Sequence, residues 1–360
     1  MSDYRYIRQT TLKEFGPEAQ EKLANSSVLV VGVGGLGIPV LQYLNAMGVG
    51  TLGMVEQDIV DLSNLQRQVL YTEDNIGQSK LEVALEKLQA QNSLTSFKTY
   101  STFLTRDNAL EIIKDYDLVV DASDNFPTRY LVNDACVLLN KPFVYGALHS
   151  FEGQVSVFNY KGGPTYRCLF PKMPSSEEIP NCNENGVLGV IPGIVGNFQA
   201  LEAVKVLAGV GEVLSGKLLL YSGLTQAMQK INFKRHSDYA KVTTLQQSYD
   251  TLYCGIEASV STEHLLKLLK AKTTFQLIDV RTPEEFGQQH LDQAFNIPLD
   301  ELSQRWNEID PTQDTYLICQ SGKRSQMALE QLQTKFKEAT FFNVTGGINQ
   351  YNRTIAQTTT

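Results

Sequence analysis

Val28-Leu-Val-Val-Gly32-Val-Gly34-Gly35-Leu-Gly37 decides how this chain reads. Four consecutive apolar residues, mostly β-branched, suit a strand buried on both faces, and the glycines after them permit a tight turn. Leu36 to Met47 then carries apolar residues at three- and four-residue spacing, the pattern of a helix with one face on a sheet. Strand, glycine turn and helix in that order make a nucleotide-binding layout. A backbone without side chains lets phosphate approach, and helix N-terminal N–H groups and the dipole attract its charge. Glu56, at the end of the next apolar run, suits hydrogen bonds from ribose hydroxyls. The motif by itself serves NAD and ATP alike.

Outward from this stretch, Thr51 to Val55, Asp117 to Asp121 and Pro142 to Tyr145 read as further strands, and Gly77 to Gln91 and Asn125 to Leu139 as helices. Such alternation predicts an α/β domain built on a doubly wound parallel sheet. Gly153 to Tyr160 adds a strand by its alternation, and Gly196 to Leu207 a helix. Phe170 to Gly189, rich in Pro, Ser, Asn and Glu, reads as a long loop, either functional or disordered. From Lys234 to about Tyr253 the polar sequence has no period and reads as a linker. A new pattern follows: a helix over Thr262 to Leu269, strands over Phe275 to Val280 and Thr315 to Cys319, and a helix over Ser325 to Phe336. The expected organisation is therefore a nucleotide-binding domain over 1–233, a linker over 234–257 and a smaller α/β domain over 258–360.

With 42% hydrophobic and 19% charged residues among 360, the composition is that of a globular protein. The net charge of -8 is spread over both parts and argues against nucleic acid as a partner. Met1 to Arg8 lacks the apolar run of a secretory signal, and no uninterrupted apolar window reaches the length of a membrane span, so a cytoplasmic protein without a membrane partner is expected. The five cysteines form no Cys-x-x-Cys pair, which favours reactive over stapled roles.

Downstream of the glycine turn come Glu56-Gln-Asp58-Ile-Val-Asp-Leu-Ser63-Asn64-Leu-Gln-Arg67-Gln68, Gly77-Gln-Ser-Lys80 and Asp121-Ala-Ser-Asp124-Asn125, preceded by Arg5-Tyr-Ile-Arg8-Gln9. Together they resemble the ATP site of the MoeB/ThiF/HesA family, relatives of ubiquitin-activating enzymes, and the likeness runs from about Tyr4 to Phe233. The resemblance implies ATP-dependent adenylation of the C-terminal Gly-Gly of a small ubiquitin-like sulfur carrier of the MoaD/ThiS type. Gly32, Gly34, Gly35, Gly37, Glu56, Asp58, Ser63, Asn64 and Asn125 would then hold the nucleotide. Lys80, Arg67 and Arg8 would neutralise the triphosphate, the last across a homodimer interface, and Asp124 would hold Mg2+. The chemistry asks for such groups, since a carboxylate attacking the α-phosphorus needs cations around it. Lys80 as a solvated charge and Asp124 as a helix cap are the plainer alternatives.

Family members commonly carry a structural zinc on two Cys-x-x-Cys pairs. Here the corresponding stretches read Thr165-Tyr-Arg-Cys168 and His236-Ser-Asp-Tyr-Ala-Lys241, so zinc is expected to be absent and Cys168 to be a small buried hydrophobe. Cys182 lies in the long loop, where the resemblance implies a thiol able to link to the activated carrier or to resolve a disulfide.

Cys319-Gln-Ser-Gly322-Lys323-Arg324-Ser325 follows a strand and precedes a helix, a place where loop N–H groups, a helix N-terminus and two basic residues favour a thiolate. With Leu277-Ile-Asp279-Val-Arg281-Thr-Pro-Glu-Glu-Phe286, His290 to Pro298 and Thr345-Gly-Gly347, it is similar to rhodanese domains over about Val260 to Tyr351. The implied cycle is carrier adenylation followed by attack of a Cys319 persulfide, giving a thiocarboxylate as in molybdopterin or thiamine synthesis. The rivals are a nicotinamide dehydrogenase, a rhodanese sulfurtransferase with a non-catalytic nucleotide-binding scaffold, and a non-catalytic docking protein.

Overall fold

The computed structural model describes residues 2–174, 186–249, 259–271, 274–336 and 339–358. The chain divides into two compact units, Met1–Leu252 and Tyr253–Thr360. The strands of the first are β1 Ser27–Val31, β2 Thr51–Val55, β3 Ser96–Tyr100, β4 Leu118–Asp121, β5 Phe143–His149, β6 Glu152–Phe158, β7 Lys217–Ser222 and β8 Met228–Asn232. They form one sheet in the order β3-β2-β1-β4-β5-β6-β7-β8. The first five run parallel, and β6 to β8 extend the sheet in antiparallel fashion.

Alternation along β1 explains why helices cover both faces. Val28 and Val30 pack with Leu23, Ile38, Leu41, Leu44 and Leu88 on one side. Leu29 and Val31 pack with Ile113, Tyr130, Leu131 and Ala135 on the other. All four are buried, and each such side chain contributes roughly 1.5–3 kcal/mol. β3, Ser-Phe-Lys-Thr-Tyr, has no continuous apolar run because it is the exposed edge strand.

The helix expected from Gly196 begins six residues earlier and spans Val190–Ala208. Pro192 and Gly193 read as breakers, yet proline is tolerated in a first helical turn, where its missing N–H costs no bond. This helix is long and apolar enough to cross a membrane by length and composition, although Asn197, Gln199, Glu202 and Lys205 interrupt its apolar run. In this fold it packs on β4, β5 and β6 and on the helices Gly16–Ala24 and Gly37–Ala46, and about half of it is buried.

Residues 234–249, read as the start of a linker, lie on the first unit. Ala240 and Tyr249 are buried there, and Tyr249 Oη donates to Asp134 Oδ2 at 2.8 Å. Two anchors in a polar stretch leave no periodic signal.

The second unit holds β9 Ser259–Val260, β10 Gln276–Asp279, β11 Ala294–Asn296, β12 Thr315–Ile318 and β13 Phe341–Val344, all parallel in the order β11-β10-β12-β13-β9. Tyr316 and Ile318 pack with Leu265 and Ile348 on one face. Leu317 and Cys319 face Ala328, Leu329 and Leu332 of the helix Lys323–Lys335 on the other, so strand alternation fixes the side on which the thiol lies.

Candidate nucleotide and sulfur sites

Strand order reverses between β1 and β4, and the crevice at the carboxyl ends of such strands is where an open α/β sheet binds ligands. Gly32, at φ +96°, opens the glycine loop there, and a Cβ on it would stand 2.9 Å from the Ala122 carbonyl oxygen. A Cβ at Gly37 would overlap the Gly32 carbonyl. Asp124 is exposed on the turn that follows β4. Asn125, expected at the nucleotide, caps the helix Phe126–Leu138 by accepting the Thr128 N–H at 2.9 Å. That duty leaves the Asp124 carboxylate facing solvent, so Asp124 is not the cap.

Glu56, expected to accept ribose hydroxyls, also binds the loop's own backbone. Its carboxylate accepts N–H groups of Val33 at 3.0 Å and of Gln57 and Asp58 at 2.9 Å each, splinting the loop to the end of β2. About four acceptor positions exist on a carboxylate, so little capacity remains for hydroxyls. Asp58 accepts the Lys80 N–H through its carbonyl at 3.0 Å, and its Oδ2 stands 3.5 Å from Lys80 Nζ. Lys80 is buried at the start of the helix Lys80–Gln91, not a solvated charge. The buried Tyr71 hydroxyl lies 2.8 Å from the Val33 carbonyl and 3.3 Å from that of Lys80, tying the lysine to the loop. Burial, and then the charge of Glu56, push the Tyr71 pKa up, so it stays a donor.

Arg67 runs beside Gly35, where an added Cβ would lie 3.6 Å from Arg67 Cγ and 3.0 Å from Pro192 Cβ. The first turn of Val190–Ala208 therefore forms another wall of the loop, and its N-terminal dipole end favours anions there. Arg67 Nη1 donates to the Ser63 carbonyl at 3.0 Å. Ser63 and Asn64 fold this turn: Ser63 Oγ donates to Asp61 Oδ1 at 2.6 Å, and Asn64 Oδ1 accepts the Asp61 N–H at 3.3 Å.

Several buried polar groups at the site escaped the sequence reading. Gln68 lies beside Gly34 with Oε1 unpartnered among the described residues. Gln199 Nε2 donates to the Asp121 carbonyl at 2.7 Å, and Arg129 lies over the rings of Phe126 and Tyr145. Burial raises the Asp121 pKa, with Arg129 opposing. A polar residue at an apolar position of a helical period, such as Arg129, is the signal that could have found them.

The chain does not bring Arg8 to its own loop. Gln9 Nε2 donates to the Met47 carbonyl at 3.0 Å and a Cβ on Gly48 would collide with the Tyr6 ring, which fixes the helix Ile7–Thr10 at the far end of Gly37–Ala46, roughly 15 Å from the glycines. Cys182 lies outside the described residues. Cys168 is half-buried, not sealed in a core: its sulfur accepts the His236 N–H at 3.3 Å and lies 3.3 Å from Thr165 Oγ1. Among the described residues no cluster of three or more His, Cys, Asp or Glu is arranged to hold a metal.

In the second unit Cys319 ends β12 almost fully buried. Its sulfur accepts the Gly322 N–H at 3.1 Å and lies 3.4 Å from Ser325 Oγ, whose hydroxyl also reaches Asn343 Oδ1 at 2.7 Å. Gly322 sits at φ +90°, the left-handed conformation that turns its N–H onto the sulfur. Arg281, buried, forks onto Asp279 and reaches Gln320 Oε1 at 3.0 Å, steadying the loop. Arg324, expected to add net charge, instead makes two 2.6 Å bonds to Glu285, whose pKa those bonds hold down to about 2.

A glycine loop at a sheet switch point, followed by a domain that cradles a thiol at a strand-to-helix turn, defines a nucleotide-binding protein with a sulfur-handling module. The ThiF family pattern matches residues 6–242 and the rhodanese-like domain pattern residues 261–354. The chain belongs to the ThiF family and carries a rhodanese-like domain. It is 56% identical over 237 residues to a sulfur carrier protein adenylyltransferase of Thermus thermophilus, covering 64% of this chain and 88% of that one. It is 40% identical to the adenylyltransferase and sulfurtransferase MOCS3 of Caenorhabditis briggsae, covering 96% of this chain and 93% of the relative. The figures for the Drosophila sechellia protein of the same name are 39%, 98% and 83%. Escherichia coli MccB, crystallised with MccA-N7isoASN, shares the fold at TM-score 0.59 and 22% identity over 66% of this chain and 73% of that one.

Proposed function

We propose that this chain adenylates the C-terminal glycine of a small ubiquitin-like sulfur carrier with ATP and then supplies sulfur from a persulfide on Cys319. It is an adenylyltransferase with sulfurtransferase activity, in keeping with its full-length relatives. The observation that carries the reading is the glycine loop at the switch point of the sheet, with Arg67 packed beside Gly35 and the Lys80 backbone tied through Tyr71 to Val33. A carrier carboxylate attacks the α-phosphorus and pyrophosphate leaves, so anionic charge gathers where Lys80 and Arg67 stand. The exposed Asp124 carboxylate suits Mg2+, which prefers one or two carboxylates plus phosphate oxygens and would offset phosphate charge when bound.

The terminal persulfide sulfur then attacks the acyl carbon, and AMP departs. A second thiolate, with Cys182 as candidate, then attacks the Cys319 sulfur of the acyl disulfide, forming a disulfide with Cys319 and expelling the thiocarboxylate, and an external thiol reductant must reduce that disulfide before the next cycle. Arg8 serves the loop of a partner subunit, because its own helix is anchored away from its own loop, which makes the working form a homodimer. The carrier ends in Gly-Gly, the setting is the cytoplasm, and the thiocarboxylate feeds molybdopterin or thiamine assembly. Mass spectrometry of a ubiquitin-fold carrier incubated with the chain, ATP and Mg2+ should show the AMP adduct, and the thiocarboxylate once a sulfur donor is added. A carrier that never gains AMP would refute the reading.

A further inference from the structure

Arg324 and Glu285 pair beside the thiol loop in a way that the sulfur chemistry itself does not require. Arg324 lies in the first turn of the helix that follows the loop, one residue before Ser325, whose hydroxyl touches the Cys319 sulfur. Both ends of its fork are taken by Glu285 at 2.6 Å. Glu285 is itself fixed, since it accepts the Thr282 N–H at 3.0 Å as the third residue of the helix Pro283–Gln288, which the Thr282 capping box starts. Each side chain is about one-third exposed, so the pair stands at the loop's edge with solvent access. The charge of the Cys319 thiolate is among the influences that strengthen proton binding by Arg324, which places the guanidinium within electrostatic reach of the sulfur.

We propose that Glu285 is a specificity-determining residue for sulfur donors: by neutralising Arg324 it disfavours small dianionic sulfane donors such as thiosulfate relative to donors of lower charge, such as a cysteine persulfide. The inference rests on the reading of Cys319 as the sulfur-bearing thiol. With thiosulfate, the Cys319 thiolate attacks the outer sulfur, the S–S bond breaks and sulfite leaves with the electron pair, giving Cys319 persulfide. With cysteine persulfide the same attack on the terminal sulfur releases cysteine thiolate. Both routes balance without a further reagent, and they differ in the charge brought to the loop. A dianion gathers twice the Coulomb energy of a monoanion from an unpaired guanidinium, and loses it when a carboxylate stands 2.6 Å away. Glu285 touches neither donor and acts through Arg324.

The test measures persulfide formation on Cys319 of the full chain, by mass, against concentration of thiosulfate and of cysteine persulfide. It compares the unmodified protein with Glu285→Gln, which keeps an acceptor for the Thr282 N–H. We expect Glu285→Gln to raise kcat/KM for thiosulfate roughly tenfold at low ionic strength, mainly through KM, with the gain shrinking as salt is added and a much smaller change for cysteine persulfide. In an Arg324→Gln background the same change should have no effect on the ratio of the two donors. An equal change for both donors, a fall in both, or a salt-independent gain would mean that Glu285 only braces the loop, and would overturn the proposal while Cys319 still took up sulfur. If Cys319 of the unmodified chain took sulfur from neither donor, the reading of that thiol would fall and the proposal with it.

Discussion

Replacing Lys80 with alanine separates the charge that the nucleotide loop needs from the packing that holds the loop in place. The ammonium is buried and 3.5 Å from a partly exposed Asp58, a pair whose loss costs about 0–1 kcal/mol of stability. For a unit of this size that lowers Tm by a few degrees. If, as proposed, the same ammonium makes charge-assisted hydrogen bonds to the triphosphate, losing about 3 kcal/mol of them at the adenylation transition state should slow the step roughly 150-fold. The assay is carrier-dependent exchange of labelled pyrophosphate into ATP, run beside thermal melts. Lys80→Met keeps the apolar stem without the charge and should be as slow as alanine. Exchange within a factor of about three of the unmodified protein, or full recovery in Lys80→Met, would refute the electrostatic argument.

Tyr71→Phe removes the donor shared by the Val33 and Lys80 carbonyls, and should cost about 1–2 kcal/mol in denaturant melts of the first unit while slowing exchange more than it lowers stability. Cys319→Ser should leave the AMP adduct of the carrier intact and abolish the thiocarboxylate, which mass spectrometry separates. Mixing Arg8→Ala and Lys80→Ala proteins should restore about a quarter of the exchange rate if each loop borrows its arginine from a partner, since half the dimers then hold one complete site. The Glu285 carboxyl, held at about 2 against an ordinary 4.5, contributes stability that is fully present above pH 4.5 and lost as pH falls towards 2. Glu285→Gln should therefore flatten the pH dependence of the melting of the second unit across that window.

The parallel core was legible in the sequence because its strands are buried on both faces and so read as unbroken apolar runs: Val28 to Val31 and Asp117 to Asp121 needed no context. What escaped was structure held by few contacts or by mixed ones. β3 is an edge strand with no fully buried residue, Pro192 and Gly193 hid the first turn of a helix, and Tyr249 anchors a polar stretch with a single hydroxyl. The sequence motifs singled out Lys80, Arg67 and Asp124 as the charged groups of the site. They could not show that Glu56, Ser63, Asn64 and Asn125 answer to backbone N–H groups and to one another, because hydrogen bonds of side chains to nearby backbone depend on turn geometry that residue order alone leaves open.

The two sites treat negative charge in opposite ways, and the chemistry of each step supplies the reason. Adenylation must draw a polyanion from solution and hold it while another anion attacks, so formal cations at the loop serve both binding and reaction. The sulfur step needs a nucleophilic anion kept ready within the protein. A net positive charge there would fill the loop with whatever small anion is abundant. Peptide dipoles avoid that conflict, because their field falls off faster with distance than that of a charge: the Gly322 N–H, 3.1 Å from the Cys319 sulfur, stabilises a thiolate at contact yet exerts little pull beyond it. Pairing Arg324 with Glu285 offsets one formal charge at the edge of the loop. On the proposal made above, the paired guanidinium then draws small dianions to the loop less strongly than an unpaired one would.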